Sequence, residues 1–175
     1  MLTVFYLIIA ATAVERLVEL VVSARHARWA FARGGVERGR GHFPAMVALH
    51  SALLVAPIVE VQLAGRPFLP AVGWSAIAVV VAAQGLRWWC IATLGKQWNT
   101  RVIVVPGLPL VETGPYRWVR HPNYVAVVAE GLALPLIHSA WVTALAFTAL
   151  NAVLLLRARI PVEERALADL AGRLP

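Results

Sequence analysis

Charge is scarce in this chain of 175 residues: 14% are Asp, Glu, Lys or Arg, while 60% are hydrophobic. A soluble domain carries about 25% charged and about 45–50% apolar residues, so the balance points away from a soluble helical bundle. There is one cysteine, Cys90, which rules out an internal disulfide framework. No pair of His, Cys or carboxylate residues has metal-ligand spacing, and no metal site is expected. Internal repeats and a continuous polar stripe are absent, which speaks against a small channel or a non-enzymatic assembly subunit. Acidic residues are also few, 9 against 16 basic ones, giving a net charge of +7. No aromatic-interleaved basic groove accompanies that excess. A basic inner face on a membrane protein accounts for it, through insertion and contact with anionic lipid, without any nucleic acid.

Five apolar segments are present: 2–23, 43–63, 69–94, 124–137 and 140–156. A membrane span needs about 20 apolar residues, so the first three pass easily. The last two are short and separated only by His138 and Ser139, which predicts a tight helical hairpin. The first segment has no basic leader and carries Glu15, Arg16 and Glu19, so it reads as a retained helix rather than a signal peptide. The expected fold class is therefore all-α: one polytopic integral membrane domain over 1–175, with about five transmembrane helices and a C-terminal cytoplasmic helix. Its parts are three N-terminal helices (1–94), a cytoplasmic loop (95–123), the hairpin (124–156) and a tail (157–175). Basic residues fall in alternate loops: Arg25, Arg28, Arg33, Arg38 and Arg40, then Lys96, Arg101, Arg117 and Arg120, then Arg157, Arg159, Arg165 and Arg173. The intervening loops hold only Arg66. The positive-inside rule puts the N-terminus outside and the C-terminus in the cytoplasm, in a bacterial plasma membrane.

Ionisable groups inside a bilayer are costly and usually face a partner or a cavity. Glu15, Arg16 and Glu19 share overlapping faces of the first helix. His50 and Glu60 on the second and Gln84 and Arg87 on the third raise the same question, as does Glu130 on the fourth. Either they pair to lock helices together, with Arg87 finding one of the glutamates, or they line the site. The tryptophans at 88 and 89 read as interfacial anchors, Cys90 as a small filler, and His26 and His42 as surface residues.

The densest chemistry lies in Gly114–Tyr124, GPYRWVRHPNY. Within the loop before it, residues 100–105 read as a short extended run. Gly114-Pro115 marks a turn. A short helix is expected from Tyr116 to Pro122, and the proline biases His121 away from helical backbone. After the hairpin come Arg157, Arg159, Glu163 and Glu164, with Pro161 expected to begin a new helix. The hairpin returns the chain to the same side, so Arg159, Glu163 and Glu164 can lie beside His121 and Tyr124. Such a pocket has cationic, anionic, aromatic and hydrogen-bonding walls. S-adenosylmethionine is one ligand that uses all four: carboxylates for its hydroxyls or ammonium, arginine for its carboxylate, aromatics for adenine and sulfonium. The bland alternative is an interfacial anchor and an ordinary amphipathic tail.

The pattern G-P-Y-R-x-x-R-H-P-x-Y, a short hydrophobic hairpin and R-x-x-x-E-E resembles the isoprenylcysteine carboxyl methyltransferase family over roughly 95–170. The resemblance implies a polytopic helical membrane enzyme using S-adenosyl-L-methionine. Carried over by motif, Gly114, Tyr116, His121, Tyr124, Glu163 and Glu164 would bind the cofactor, and Arg120 and Arg159 would act in catalysis. Many members have glycine where this chain has Ala126, which would narrow the space beside the cofactor. The stretch Gly95-Lys96-Gln97-Trp98-Asn99-Thr100, with Arg159-Ile160-Pro161, resembles bacterial members encoded beside type III polyketide synthases and associated with alkylpyrone O-methylation. A basic set of 15 Arg and one Lys fits a GC-rich bacterial genome. The implied partners are membrane lipids and a lipophilic small-molecule acceptor bearing a carboxylate or acidic enol. Such a nucleophile is already ionised near neutral pH, so alignment and dryness are what the protein must supply. Membrane sterol reductases end in a similar RHPNY-like segment and use NADPH; that alternative stays open at this point.

Overall fold

The computed structural model describes residues 1–171, so Arg173 of the basic tail lies outside the described residues. Six helices dominate: α1 (Leu2–Phe31), α2 (Phe43–Ala64), α3 (Pro70–Leu94), α4 (Pro122–Leu136), α5 (Trp141–Leu154) and α6 (Ile160–Ala171). Three helical stretches are long and apolar enough to cross a membrane: Arg40–Ala64, Pro70–Gln97 and Trp141–Asp169. The chain is thus a helical membrane protein. Length and charge set the other two helices apart. α1 has 30 residues but carries Glu15, Arg16 and Glu19, and α4 has only 15.

Two local expectations need correction, while the extended run read at 100–105 is found as a strand. In an otherwise helical chain Val36–Arg38 (β1) and Val102–Val104 (β2) form a two-stranded antiparallel ribbon, Val36 opposite Val104 and Arg38 opposite Val102. The Val-Ile-Val run has the β-branched character that suits a strand. Between Tyr116 and Pro122 there is no helix; a single 3₁₀ turn at Gly114–Arg117 is followed by irregular chain up to His121. Pro161 does not start a new helix. The chain runs helically from α5 into α6 through a π-helical turn, Leu155–Arg159. Proline lacks an N–H and its ring crowds the carbonyl four residues back; widening one turn relieves both.

α4 packs along α3, and α5 packs against α4 and α2. Gly131 permits this, since a Cβ there would collide with the Phe147 ring. Around that approach lies the apolar core: Phe5, Ile9, Leu53, Val80, Leu134 and Ile137. The hairpin turn is tied down by α2. Glu60 accepts from the amide of Val142 (3.2 Å), the amide of Thr143 (2.7 Å) and the Thr143 hydroxyl (2.8 Å), and pairs with Arg66 at 3.0 Å. Those amides are the first, otherwise unpaired donors of α5, so Glu60 caps a helix other than its own. His138 donates to the Arg66 carbonyl at 2.9 Å.

Apart from His50 and the Glu60–Arg66 pair, the intramembrane polar groups singled out in the sequence form one network. Arg87 of α3 is buried and bonds Glu130 of α4, with Glu19 of α1 at 3.5 Å and Gln84 at 3.2 Å. Arg16 donates to Glu19 at 2.9 Å and to Gln84 at 3.0 Å, and lies 3.6 Å from Glu130. Glu15 accepts from Gln84 and from the Trp88 indole. Of the readings left open for these groups, the locking of helices is the one observed. None of these residues lines the cavity described next.

Candidate functional site

The loop from Lys96 to Glu112, the motif and α6 enclose a cavity of about 600 Å³. That is within the range of about 300–1,000 Å³ usual for small-molecule and cofactor sites. Seven of the eight motif residues line it: Tyr116, Arg120, His121, Tyr124, Arg159, Glu163 and Glu164. Gly114 does not. It holds a backbone φ of +57°, and a Cβ there would meet Thr93 and Trp89 of α3. Glycine therefore lets the turn close onto α3 and so places Tyr116.

The centre of the site is a four-residue cluster, half-buried apart from Arg159. Arg159 is buried, and its Nε donates to the Tyr124 hydroxyl at 2.8 Å. Tyr124 donates in turn to Glu163, and Arg159 lies 3.5 Å from the same carboxylate. His121 stacks on the Tyr124 ring, centroids 5.3 Å apart, with Glu163 at 3.7 Å and Glu164 at 3.5 Å. The π-helical turn ends at Arg159, and the i,i+4 spacing to Glu163 sets both on one face of the helix. Arg120 differs: its side chain is 89% exposed, at the cavity's edge, 3.9 Å from Glu164. Ala126 is fully buried and does not line the cavity, so the methyl group it carries fills the helix packing instead.

Charge states follow from these contacts. The hydrogen bond to Glu163 raises the His121 pKa; burial opposes it, and Glu164 adds to it. Burial pushes the Glu163 carboxyl up, but His121, Arg159 and Tyr124 together hold it below the ordinary carboxylate range. Tyr116 is pushed far above the ordinary phenol value by burial and by the Cys90 thiol it bonds, so it is a hydrogen-bonding wall rather than a base.

The loop side of the cavity begins in the Gly95–Thr100 stretch that carries the narrower resemblance and continues through residues to which no motif assigns a site role. Gln97, Asn99, Arg101 and Glu112 line it, as do Val102, Val105, Leu108 and Val111. Asn99 and Thr100 hold it to α1: Ser23 donates to Asn99 at 2.8 Å and accepts from the Thr100 amide at 3.1 Å. His26, expected on the surface, is half-buried and donates to the Trp98 carbonyl at 2.9 Å. The Trp-Asn-Thr run was the available signal for this anchoring. Asn123, between the motif's proline and tyrosine, also lines the cavity.

A helical membrane protein whose cofactor-sized cavity pairs a charged cluster with an aliphatic wall belongs to the class of membrane proteins built to hold a small amphiphilic molecule. Residues 76–169 match the model of the isoprenylcysteine carboxyl methyltransferase (ICMT) family, and the chain belongs to that family. It is 39% identical to the uncharacterized protein YpbQ of Bacillus subtilis, over 94% of this chain and 97% of that one. It is 26% identical to an uncharacterized protein of Haemophilus influenzae, over 89% of this chain and 90% of that one. Its fold is similar to that of the eukaryotic intramembrane Ras methyltransferase ICMT, with a TM-score of 0.56 and 24% identity. That match covers 74% of this chain and 47% of the eukaryotic one, so this chain spans less than half of it. None of these matches bears on the narrower likeness to members encoded beside polyketide synthases.

Proposed function

We propose that the protein is an S-adenosyl-L-methionine-dependent O-methyltransferase acting on a lipophilic acceptor with a carboxylate or acidic enol, of alkylpyrone or prenylcysteine type. The observation that carries this reading is the Arg159–Tyr124–Glu163–His121 cluster on the cavity wall. It fits the cofactor chemically. The terminal nitrogens of Arg159 have no hydrogen-bond partner among the described residues, although the side chain is buried. A buried guanidinium with a free fork suits a carboxylate. Glu163 and Glu164 offer acceptors for hydroxyl or ammonium groups, and the stacked His121–Tyr124 pair offers an aromatic face. Bound there, the cofactor would supply an electrophilic sulfonium methyl group, which an acceptor oxygen could take with its own lone pair while the C–S bonding pair stayed on sulfur. Anion and sulfonium become neutral ether or ester and thioether, so no base is needed. The protein's part is to fix the line of approach and keep water out. Arg120, on the rim, steers the acceptor anion inward.

Purified protein in detergent should bind S-adenosylhomocysteine by calorimetry and transfer label from S-adenosylmethionine to a 4-hydroxy-alkylpyrone or a prenylcysteine analogue. NADPH is the control ligand. Binding of NADPH in place of S-adenosylhomocysteine would transfer the site to the reductase reading.

We also place the site on the cytoplasmic face of a bacterial plasma membrane, with five spans and an external N-terminus. The basic loops flank the cavity, which supports this sidedness. A reporter fused after Pro175 should be cytoplasmic and one before Met1 external. Both ends on one side would remove one span, and the short α4–α5 hairpin would be the place to look.

A further inference from the structure

The loop-side wall carries a second charged group that the motif cluster does not use. Arg101 lines the cavity, and its Nη1 donates to both oxygens of Glu37, each at 3.2 Å. Glu37 is shut away from solvent on β1 and also accepts from Arg40 at 2.8 Å. The guanidinium also lies 5.6 Å from the Phe31 ring centroid. It is thus gripped along one edge, while Nη2 and Nε have no partner among the described residues. Lys96 lines the same wall, near the Trp29 ring. On this loop-side wall Lys96 and Arg101 face one carboxylate, Glu112, while Glu37 behind it is matched by Arg40, so the wall keeps a net positive charge. Beside Arg101 the lining turns apolar through Val102, Val105, Leu108 and Val111.

We infer that this wall docks the acceptor: Arg101, with Lys96, takes the anionic head, and the adjoining aliphatic strip takes the first part of the hydrocarbon chain. The inference rests on the methyltransferase reading. The cofactor carries a single carboxylate, and Arg159 is already placed for it. A second, oriented cation next to an aliphatic strip has no use for so polar a ligand, but matches an amphiphilic acid. Arginine held on one edge presents a fixed two-point fork to a carboxylate or enolate. Arg120 then guides from the rim, and Arg101 holds. Glu37 is a positioning residue, since it touches only the arginines.

The test is binding of hexadecanoate to detergent-solubilised protein saturated with S-adenosylhomocysteine, with hexadecanol as the uncharged control. Arg101→Gln should weaken hexadecanoate at least about tenfold and leave hexadecanol unchanged, because only a charge-assisted contact is lost. Arg101→Lys should fall between. Glu37→Gln should weaken hexadecanoate less than Arg101→Gln does. Affinity for S-adenosylhomocysteine should stay within about twofold in all three, a change too small to represent a lost hydrogen bond. Equal hexadecanoate binding by wild type and Arg101→Gln overturns the proposal. So does a parallel loss of S-adenosylhomocysteine, which would make Arg101 a cofactor residue. Phosphatidylcholine nanodiscs with and without phosphatidylglycerol separate the other source of anions. If Arg101→Gln alters only binding to phosphatidylglycerol, the wall is a lipid anchor and the proposal fails. If wild type binds no S-adenosylhomocysteine, the methyltransferase reading falls on its own, and hexadecanoate against hexadecanol still reads the wall.

Discussion

Arg87→Leu should destabilise the protein by about 3–5 kcal/mol, the usual cost of removing one partner from a buried ion pair. Arg87 touches Glu130, Glu19 and Gln84, from three different helices counting its own. With the guanidinium gone, Arg16 alone faces Glu15, Glu19 and Glu130, and Glu130 loses its hydrogen-bonded partner in an apolar surround. Arg87→Lys should recover only part of the loss, since one ammonium cannot reach three acceptors in the geometry a planar fork allows. Arg87→Leu with Glu130→Leu should recover more than either substitution alone, because both buried charges leave together. Thermal unfolding in detergent micelles compares wild type with all four variants, Glu130→Leu included, and the double-mutant cycle gives the coupling. Arg87→Leu as stable as wild type would mean that the network does not hold α1, α3 and α4 together. The cavity lies outside this network, so any variant that folds should still bind S-adenosylhomocysteine.

That network shows what a sequence of this kind reveals and what it hides. Helix positions were legible because apolar runs are long: the segment read as 69–94 is the helix Pro70–Leu94. The presence of ions at membrane depth was legible too, from Glu15, Arg16, Arg87 and Glu130 in those runs. Their pairing was not, because partners 43 and 68 residues apart are brought together by helix packing, which periodicity alone does not specify. The cluster at Tyr124 and Glu163 was foreseen from the short hairpin, whose geometry leaves few places for the tail to go. The Arg101–Glu37 pair was missed. It depends on a ribbon three residues long on each side, and its partners lie in two loops with no motif in common. The continuity of α5 into α6 was missed for a different reason. Proline biases strongly toward a helix start, and one widened turn undoes that bias without leaving a mark in composition.

Glu163→Ala and His121→Ala should each weaken S-adenosylhomocysteine by roughly 1–3 kcal/mol, the cost of leaving a buried polar group without its partner. Glu163 should be the larger of the two. It accepts from Tyr124 and sits beside Arg159 and His121, so its removal frees three side chains, whereas His121 stands at one edge of the cluster. pH gives an independent check on the same pair. The His121 pKa is raised from 6.5, so its contribution to stability is fully present below that value and is lost as pH rises through the higher folded value. Glu163 is lowered from 4.5, so its contribution is present above that value and is lost as pH falls through the lower folded one. The pair is therefore at full strength between 4.5 and 6.5. The gap in melting temperature between wild type and His121→Gln should be widest there and narrow on the alkaline side. A gap that stays constant, or that grows as pH rises, would mean that His121 is held neutral and serves only as a stacking surface for Tyr124. Unchanged affinity for S-adenosylhomocysteine in both alanine variants would remove the cluster from the cofactor site, and with it the main support for methyl transfer in this cavity.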